Sequence, residues 1–314
     1  MGHDSLVSGT KIGIGLGTAR GGVPTPAQLC AYAERAEDLG IDSVWLSDRV
    51  TGTQLDIAAV MALIAARTRR IKMGPAVLTL PAHHPVHVAR AYATLDHLSG
   101  GCGRIIMAVG LGNDPRQCLA VGIPPEERGG RMEEGVAVLR KLWSERNVTH
   151  QGKYYRFENL TIEPRPARGP LDVWIGGRTD VALKRVARYG DGWFPSFVTP
   201  QEYADGMRRL LAYGAERGRA VDPREAGVLL LSHVTEDRTL ADAVLRQIAN
   251  AGLQIPADDL AARCAVGPAG ECVERLARFV EAGCTKFVLF PICPPEQLVA
   301  QIETYARDII PRFA

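Results

Sequence analysis

The chain has 314 residues, of which 46% are hydrophobic and 23% are charged, and its formal net charge is +2. This composition is normal for a globular enzyme, and the small net charge shows no excess of basic residues, so nucleic acid is not an expected partner. The length allows one large domain or two small ones. We expect no membrane span, because the most apolar run, Ile57 to Ala66, is too short to cross a bilayer.

The sulfur and histidine content predicts no metal site. Seven cysteines are scattered without a CxxC pair, which favours reduced thiols in a cytoplasmic protein. The first residues lack the apolar core of a signal peptide, so secretion is not expected. The motif His83-His84-x-x-His87 is a metal candidate, but no carboxylate or cysteine completes the set nearby. Capping and packing of a helix explain these histidines better.

Apolar strands and amphipathic helices alternate along the first half of the chain. The segment from Lys11 alternates like a strand, and Thr25-Pro-Ala-Gln28 predicts a helix start with proline at the first helical position. Gly40 is the predicted end of this helix. The elements predicted next are strand Asp42–Asp48, helix Ile57–Arg67, strand Arg70–Leu78, helix Val86–Leu98, strand Arg104–Gly110 and helix Arg131–Trp143.

The second half continues this alternation after one interruption. The stretch from Val148 to Pro166 contains glycine, tyrosines and prolines and predicts a surface hairpin. The elements predicted after it are strand Asp172–Gly176, a helix after Thr179, strand Trp193–Ser196, helix Pro200–Arg217, strand Gly227–His233, helices Leu240–Ala251 and Gly270–Gly283, strand Lys286–Phe290 and a final helix Pro295–Ile310.

Eight apolar strands, each followed by helical material, indicate an α/β protein with a parallel sheet. A TIM (β/α)8 barrel fits this pattern best, and an open doubly wound sheet is the main alternative. No domain linker is evident, so residues 1–314 are predicted to form a single barrel domain with insertions.

The turn after the fifth predicted strand has the features of a phosphate site. Gly176 and Gly177 allow an anion to approach the backbone closely, and Thr179 can cap a helix whose free N–H groups favour negative charge. An ordinary turn between a strand and a helix explains the same residues, and the segment alone leaves both interpretations open.

Several blocks of the sequence resemble the bacterial luciferase-like family of flavin and deazaflavin oxidoreductases. The run from Ala33 to Asp48 is similar to the second-strand signature of that family. Further blocks follow in the family's order and cover nearly the whole chain: Ala65 to Thr79, His84-Pro85, Thr94 to Gly101, Val109-Gly-Leu-Gly112, Glu127 to Met132 and Trp174 to Trp193.

The resemblance implies a TIM barrel of luciferase-like type with the cofactor ring over the C-terminal ends of its strands. It also implies that Gly176, Gly177, Arg178 and Thr179 bind the cofactor phosphate. A non-proline cis peptide at Ala76-Val77 is implied behind the ring. These two residues and Gly110 complete the expected cofactor contacts.

The resemblance also places three polar residues beside the cofactor ring and substrate, and these are the predicted catalytic residues. Asp48 closes the second strand. Arg49 stands where relatives often have histidine, and arginine stays charged and donates hydrogen bonds rather than exchanging a proton. Asn113 matches a position that bears a catalytic glutamate in some deazaflavin enzymes, and its amide is expected to bind or position a ligand.

The leading hypothesis is a coenzyme F420-dependent oxidoreductase that transfers a hydride between deazaflavin C5 and a C=C, C=N or alcohol carbon of a small substrate. The first alternative is an FMN-dependent monooxygenase that uses oxygen, and the second is a barrel that binds the cofactor without catalysis. Three segments are expected to shape the substrate pocket: Thr18 to Val23, Leu111 to Cys118 and the link after His233. The resemblance also implies a homodimer.

Overall fold

The computed structural model describes residues 9–16, 22–52, 54–250, 255 and 257–313. Part of the predicted loop from Thr18 to Val23 and Ala251, the predicted end of a helix, lie outside the described residues. The strands are β1 (Lys11–Leu16), β2 (Ser43–Leu46), β3 (Lys72–Pro75), β4 (Leu78–Thr79), β5 (Met107–Gly110), β6 (Val148–Gln151), β7 (Arg156–Leu160), β8 (Val173–Gly176), β9 (Gly192–Phe194), β10 (Val228–Val234), β11 (Ala265–Gly267) and β12 (Lys286–Pro291).

The helices surround these strands. They are α1 (Pro26–Asp38), α2 (Ile57–Arg67), α3 (Pro85–Leu98), α4 (Arg116–Leu119), α5 (Arg128–Ser144), α6 (Asp180–Tyr189), α7 (Pro200–Glu216), α8 (Arg238–Ala249), α9 (Ala257–Leu260), α10 (Ala269–Glu281) and α11 (Leu298–Thr304). A π-helical segment, Tyr305–Ile309, extends α11. Among the described residues, no helix combines the length and the apolar character that a bilayer crossing requires.

The parallel strands close into a ring, which confirms the predicted barrel and excludes the open sheet. One sheet runs β11-β10-β12-β1-β2-β3, and a second runs β4-β5-β8-β9. Parallel bridges join the two sheets, between Met73 and Ile105 on one side and between Ser196 and Leu229 on the other. The order around the barrel is therefore β1, β2, β3 with β4, β5, β8, β9, β10 and β12.

Two features of the sheet differ from the sequence prediction. The predicted third strand is interrupted, because β3 pairs with β2 whereas β4 pairs with β5. Strand β11 was not predicted, since three residues are too few to show a periodic pattern; it lies beside the second half of β10. The predicted hairpin is confirmed as the antiparallel pair β6 and β7.

Aromatic side chains fill the barrel interior and support the floor of its C-terminal end. The rings of Trp45 and Phe194 lie 4.8 Å apart, and Trp45 and Trp174 lie 5.8 Å apart. Phe290 belongs to the same buried cluster. Ala76, Val77, Leu229 and Leu231 pack on this cluster. Because the interior is filled, a ligand at the C-terminal end of the barrel lies above this apolar layer.

Candidate active site

A cavity of about 540 Å³ opens at the C-terminal end of the barrel. Its walls come from residues at or beyond the ends of successive strands, including Leu16, Leu46, Asn113, Ser196 and Ile292. The loops that follow barrel strands carry the chemistry of this fold, so the position of the cavity agrees with that of an active site. Val23 and Asn113 line the cavity, and they belong to two of the three segments expected to shape the pocket. Between His233 and the start of α8 no described residue lines it, whereas Gln247 and Ile248 of α8 do.

The floor of the cavity is apolar and contains the expected cis peptide. The Ala76-Val77 bond is cis, and Ala76 lines the cavity together with Leu229 and Leu231. The Val77 side chain lies between two glycines. A Cβ atom at Gly110 would lie 2.5 Å from Val77 Cγ2, and one at Gly176 would lie 3.1 Å from Val77 Cγ1. Both glycines therefore make room for Val77, and their contact with a cofactor stays a prediction.

The three predicted catalytic residues have different environments. Arg49 and Asn113 line the cavity, but Asp48 is not among the lining residues. The Asp48 side chain is 8% exposed, and its Oδ2 accepts a hydrogen bond from the Thr79 N–H at 2.9 Å and lies 3.2 Å from His83 Nε2. These contacts join the end of β2 to the segment after the cis bond. Asp48 thus holds the floor in position, and any role of its carboxylate in the reaction stays a prediction.

The loop after β2 brings two polar side chains to the cavity with their hydrogen-bonding groups free. Arg49 is exposed, and no hydrogen bond or ion pair joins its guanidinium to another described residue. Gln54 also lines the cavity, and its Oε1 atom is buried without a hydrogen-bond partner among the described residues. Buried polar atoms of native proteins normally have a partner, so this oxygen marks a place for a ligand or a water molecule.

The glycine turn after β8 adjoins the cavity without lining it. Gly177 has a φ of +118°, and a Cβ atom there would lie 2.7 Å from Ala182 Cβ, so the conformation requires glycine. Thr179 caps α6 by accepting a hydrogen bond from the Ala182 N–H. Arg178 Nη1 donates to the Phe197 carbonyl at 2.9 Å, and Phe197 does line the cavity. Arg178 therefore supports the cavity wall, and its contact with a phosphate stays a prediction.

Several lining residues were absent from the sequence prediction. Ser47 and Gln54 flank the residues predicted at the end of β2, so the strand-end rule indicates their neighbourhood without selecting them. Ser196 and Phe197 follow the short strand β9, so the same strand-end rule indicates their neighbourhood. Gln247 comes from the last turn of α8, and no sequence signal shows that this helix reaches the cavity.

The histidine motif has the capping role that its position at a helix start predicts. His84 is the N-cap of α3, and its Nδ1 accepts a hydrogen bond from the Val86 N–H at 3.3 Å. Burial, and then the neighbouring His87, lower the pKa of His84 below its ordinary value. Over the residues that the structure describes, no group of three or more histidine, cysteine, aspartate or glutamate side chains is placed to hold a metal ion.

Comparison with known proteins agrees with the predicted F420-dependent enzyme. The chain is 30% identical to the F420-dependent glucose-6-phosphate dehydrogenase of Nakamurella multipartita, over 92% of this chain and 93% of that protein. It is 36% identical to the enzyme of the same name from Amycolatopsis mediterranei, where the match spans 61% of this chain and 60% of that protein. These relatives support an F420-dependent oxidoreductase with coenzyme F420 as its cofactor.

Comparison of structures confirms the fold, and a sequence model shows the family. An F420-dependent secondary alcohol dehydrogenase in complex with an F420-acetone adduct superposes with a TM-score of 0.83 at 22% identity, covering 97% of this chain and 99% of that one. At this identity, the likeness shows the fold alone. A sequence model described as luciferase-like monooxygenase matches residues 6–252. The chain therefore belongs to the luciferase-like monooxygenase family.

Proposed function

We propose that this protein is an F420-dependent oxidoreductase that transfers a hydride between deazaflavin C5 and a carbon atom of a small organic substrate. The observation that carries the proposal is the cavity above the Ala76-Val77 bulge, in a chain related to F420-dependent enzymes over nine-tenths of its length. The predicted reacting groups of the substrate are a C=C bond, a C=N bond or an alcohol carbon.

The residues at the barrel mouth fit this cofactor. The apolar layer of Ala76, Val77, Leu229 and Leu231 suits the flat face of a tricyclic ring. The turn from Gly177 to Thr179 is exposed and leads into α6, whose first N–H groups have no partner within the helix. Asp180, the acidic residue in this first turn, is paired with Lys184 at 2.8 Å. The lysine charge reduces the repulsion between the Asp180 carboxylate and a bound phosphate.

In this proposal, the phosphate is held by Gly176, Gly177, Arg178 and Thr179, and the ring lies against Ala76 and Val77 near Gly110. When bound, the deazaflavin supplies or accepts the hydride at its ring carbon C5. The protein positions the reacting groups against each other, which is how a cofactor enzyme contributes to such a step.

The side chains at the cavity bind and orient rather than exchange protons. The Arg49 guanidinium is a cation with hydrogen-bond donors and no acceptor. The Asn113 amide also binds without titrating. Asp48 acts on the reaction through the floor it holds, by its contacts with the Thr79 N–H and His83 Nε2. We therefore expect the substrate proton to be exchanged with solvent while Arg49 and Asn113 hold the substrate.

The test is a pair of fluorescence titrations of the purified protein, one with F420 and one with FMN, in the same buffer and salt. Micromolar or tighter F420 binding with weak FMN binding supports the proposal. The reverse preference, together with oxygen consumption, identifies an FMN-dependent monooxygenase. Turnover of any added acceptor by the F420-loaded protein excludes a barrel that binds the cofactor without catalysis. Light scattering of the same sample tests the predicted homodimer.

A further inference from the structure

The cavity has an apolar side that the ring of a cofactor does not explain. Leu16 and Leu46 end the paired strands β1 and β2 and lie in register with each other. Helices α1 and α2 add further aliphatic side chains, which belong to the same buried cluster as these two leucines. We call this side the β1–β2 lobe; the residues that define it are Leu16, Leu29, Leu46, Leu55, Ile57 and Val60.

The free cation of the cavity stands at this lobe. Arg49 follows β2, and its guanidinium makes no hydrogen bond or ion pair with the described part of the chain. The turn proposed to hold the cofactor phosphate follows β8. Strands β2 and β8 are three positions apart in a ring of eight, so Arg49 faces that turn from nearly the opposite side of the mouth. The Asp114 carboxylate interacts with the Arg49 charge over a longer distance, but this carboxylate is already paired with Arg116 at 2.8 Å, so the hydrogen-bond donors of Arg49 are left for a second ligand.

The orphaned oxygen of Gln54 marks the same lobe as a binding place. Gln54 lies beside Leu55 in the loop that carries Arg49, and its buried Oε1 atom has no partner in the described structure. This oxygen is an acceptor, so a hydroxyl group of a ligand or a water molecule can donate to it, whereas an ionised carboxylate cannot. The apolar walls and the Arg49 guanidinium together describe a ligand with an apolar body and an anionic end, and the Gln54 oxygen adds a place for a hydrogen-bond donor in the same lobe.

We propose that the substrate is an apolar carboxylic acid, bound with its carbon skeleton in the β1–β2 lobe and its carboxylate on Arg49. This inference rests on the proposed function, because it names the substrate class of that site. A guanidinium forms paired hydrogen bonds with a carboxylate. A sugar phosphate suits this lobe poorly, since its hydroxyl groups would lose their water partners against leucine and isoleucine side chains. The substrate therefore differs in class from the one in the names of the related glucose-6-phosphate dehydrogenases.

The experiment compares octanoate, octanamide and glucose 6-phosphate as ligands of the F420-loaded protein by titration calorimetry. The amide matches the acid in size but lacks the charge. We expect octanoate to bind about tenfold tighter than octanamide, since hydrogen bonds to charged groups are the stronger kind. Octanoate should also bind more tightly than glucose 6-phosphate. The preference for octanoate over octanamide should disappear in Arg49→Gln and persist in Arg49→Lys.

The control variant is Arg224→Gln, which removes the same charge from the N-terminal side of the barrel, where Arg224 pairs with Asp222. It should keep the preference of the wild type. Equal binding of octanoate and octanamide overturns the inference, as does tighter binding of glucose 6-phosphate through Arg49. An equal loss of F420 and octanoate affinity in Arg49→Gln also overturns it, because Arg49 would then belong to the cofactor.

The two proposals fail separately. If the wild type does not bind F420, the proposed function is overturned. The preference for octanoate over octanamide is then measured on the cofactor-free protein, because the β1–β2 lobe and Arg49 belong to the chain itself. Its presence supports the acid-binding lobe without the F420 reaction, and its absence overturns the inference as well.

Discussion

At the scale of single residues, charged side chains in this barrel are held by backbone groups as well as by opposite charges. Glu37 Oε2 accepts hydrogen bonds from the N–H groups of Arg70 and Ile71 at 2.6 and 2.8 Å, and the Arg69 N–H also donates to this carboxylate. Arg104 Nε donates to the Ile71 carbonyl at 2.9 Å. These two side chains hold the start of β3, the strand that leads to the cavity floor.

The Glu37 carboxylate gives a prediction about stability and pH. Burial would raise its pKa, but the N–H groups of Ile71, Arg70 and Arg69 outweigh burial and hold the pKa below the ordinary value of 4.5. The stabilisation is therefore complete above the pKa of the unfolded state and disappears as the pH falls through the lower pKa of the folded state. Glu37→Gln should lower the free energy of unfolding by about 1–2 kcal/mol at pH 7, because the amide NH2 cannot accept these bonds.

Urea unfolding of the wild type and Glu37→Gln at pH 7 and near pH 4 measures this effect. The difference between the two proteins should shrink at the lower pH. Glu34→Gln is the matched control on the same helix: Glu34 pairs with the exposed Arg67, and its loss should cost less than about 1 kcal/mol. A difference that is equal at both pH values would contradict the assigned role of the ionised carboxylate.

At the scale of elements, helices α6 and α7 begin in the same way but have different neighbours. Thr179 caps α6, and Thr199 caps α7 in a capping box with Glu202. The segment Gly176-Gly177-Arg178 precedes the first cap, and the segment Phe197-Val198 precedes the second. Of these two helix starts, only that of α6 follows the glycine turn proposed to bind the cofactor phosphate. A comparison of Thr179 with Thr199 therefore distinguishes the effect of a helix cap on stability from an effect on cofactor binding.

The matched variants Thr179→Ala and Thr199→Ala test this separation. Each should lower the free energy of unfolding by about 1 kcal/mol, the usual cost of losing a threonine cap. We expect only Thr179→Ala to weaken F420 binding, by about threefold to tenfold, because the hydroxyl orders the turn that holds the phosphate. F420 fluorescence titration measures the affinity. Equal F420 affinity in both variants would contradict the assignment of the phosphate site to the turn after β8.

At the scale of the whole molecule, the ring of strands is fastened at its N-terminal end by a pair distant in sequence. Lys286 on β12 and Asp42, just before β2, are joined by an Nζ–Oδ2 contact of 2.8 Å across β1. Lys286 also lies over the rings of Trp45 and Trp174 at 5.4 and 5.5 Å. Burial lowers the pKa of Lys286, whereas the charge of Asp42 opposes that shift.

Removing one partner of this pair should be more damaging than removing both. Lys286→Met leaves the largely buried Asp42 carboxylate without its cation and should cost about 3–5 kcal/mol of unfolding free energy. The double variant Lys286→Met with Asp42→Asn should recover part of that loss, because the uncompensated charge is gone. Urea unfolding of the two single variants and the double variant at pH 7 measures the coupling. Additive losses would show that the two side chains do not act as a pair.

The sequence predicted the elements well because their signals are local. Thr25-Pro-Ala-Gln28 predicted a capped helix start, and the structure contains the full capping box at Thr25 and Gln28. The periodicity of the sequence did not predict strand β11 or the break in the third strand at Ala76-Val77. The first is too short for a pattern, and the second arises because β3 and β4 pair with different neighbours.

The alternation of apolar strands and amphipathic helices by itself determined an α/β protein with a parallel sheet whose chemistry lies beyond the strand ends, since both periods depend only on neighbouring residues. The tertiary structure decided that this sheet closes into a barrel. Tertiary structure alone decided which strand-end side chains reach the cavity: Arg49 and Asn113 do, whereas Asp48 turns to Thr79 and His83. It also brought Gln247 of α8 to the cavity. Such choices depend on contacts between residues far apart in the chain, which exist only once the ring of strands has closed.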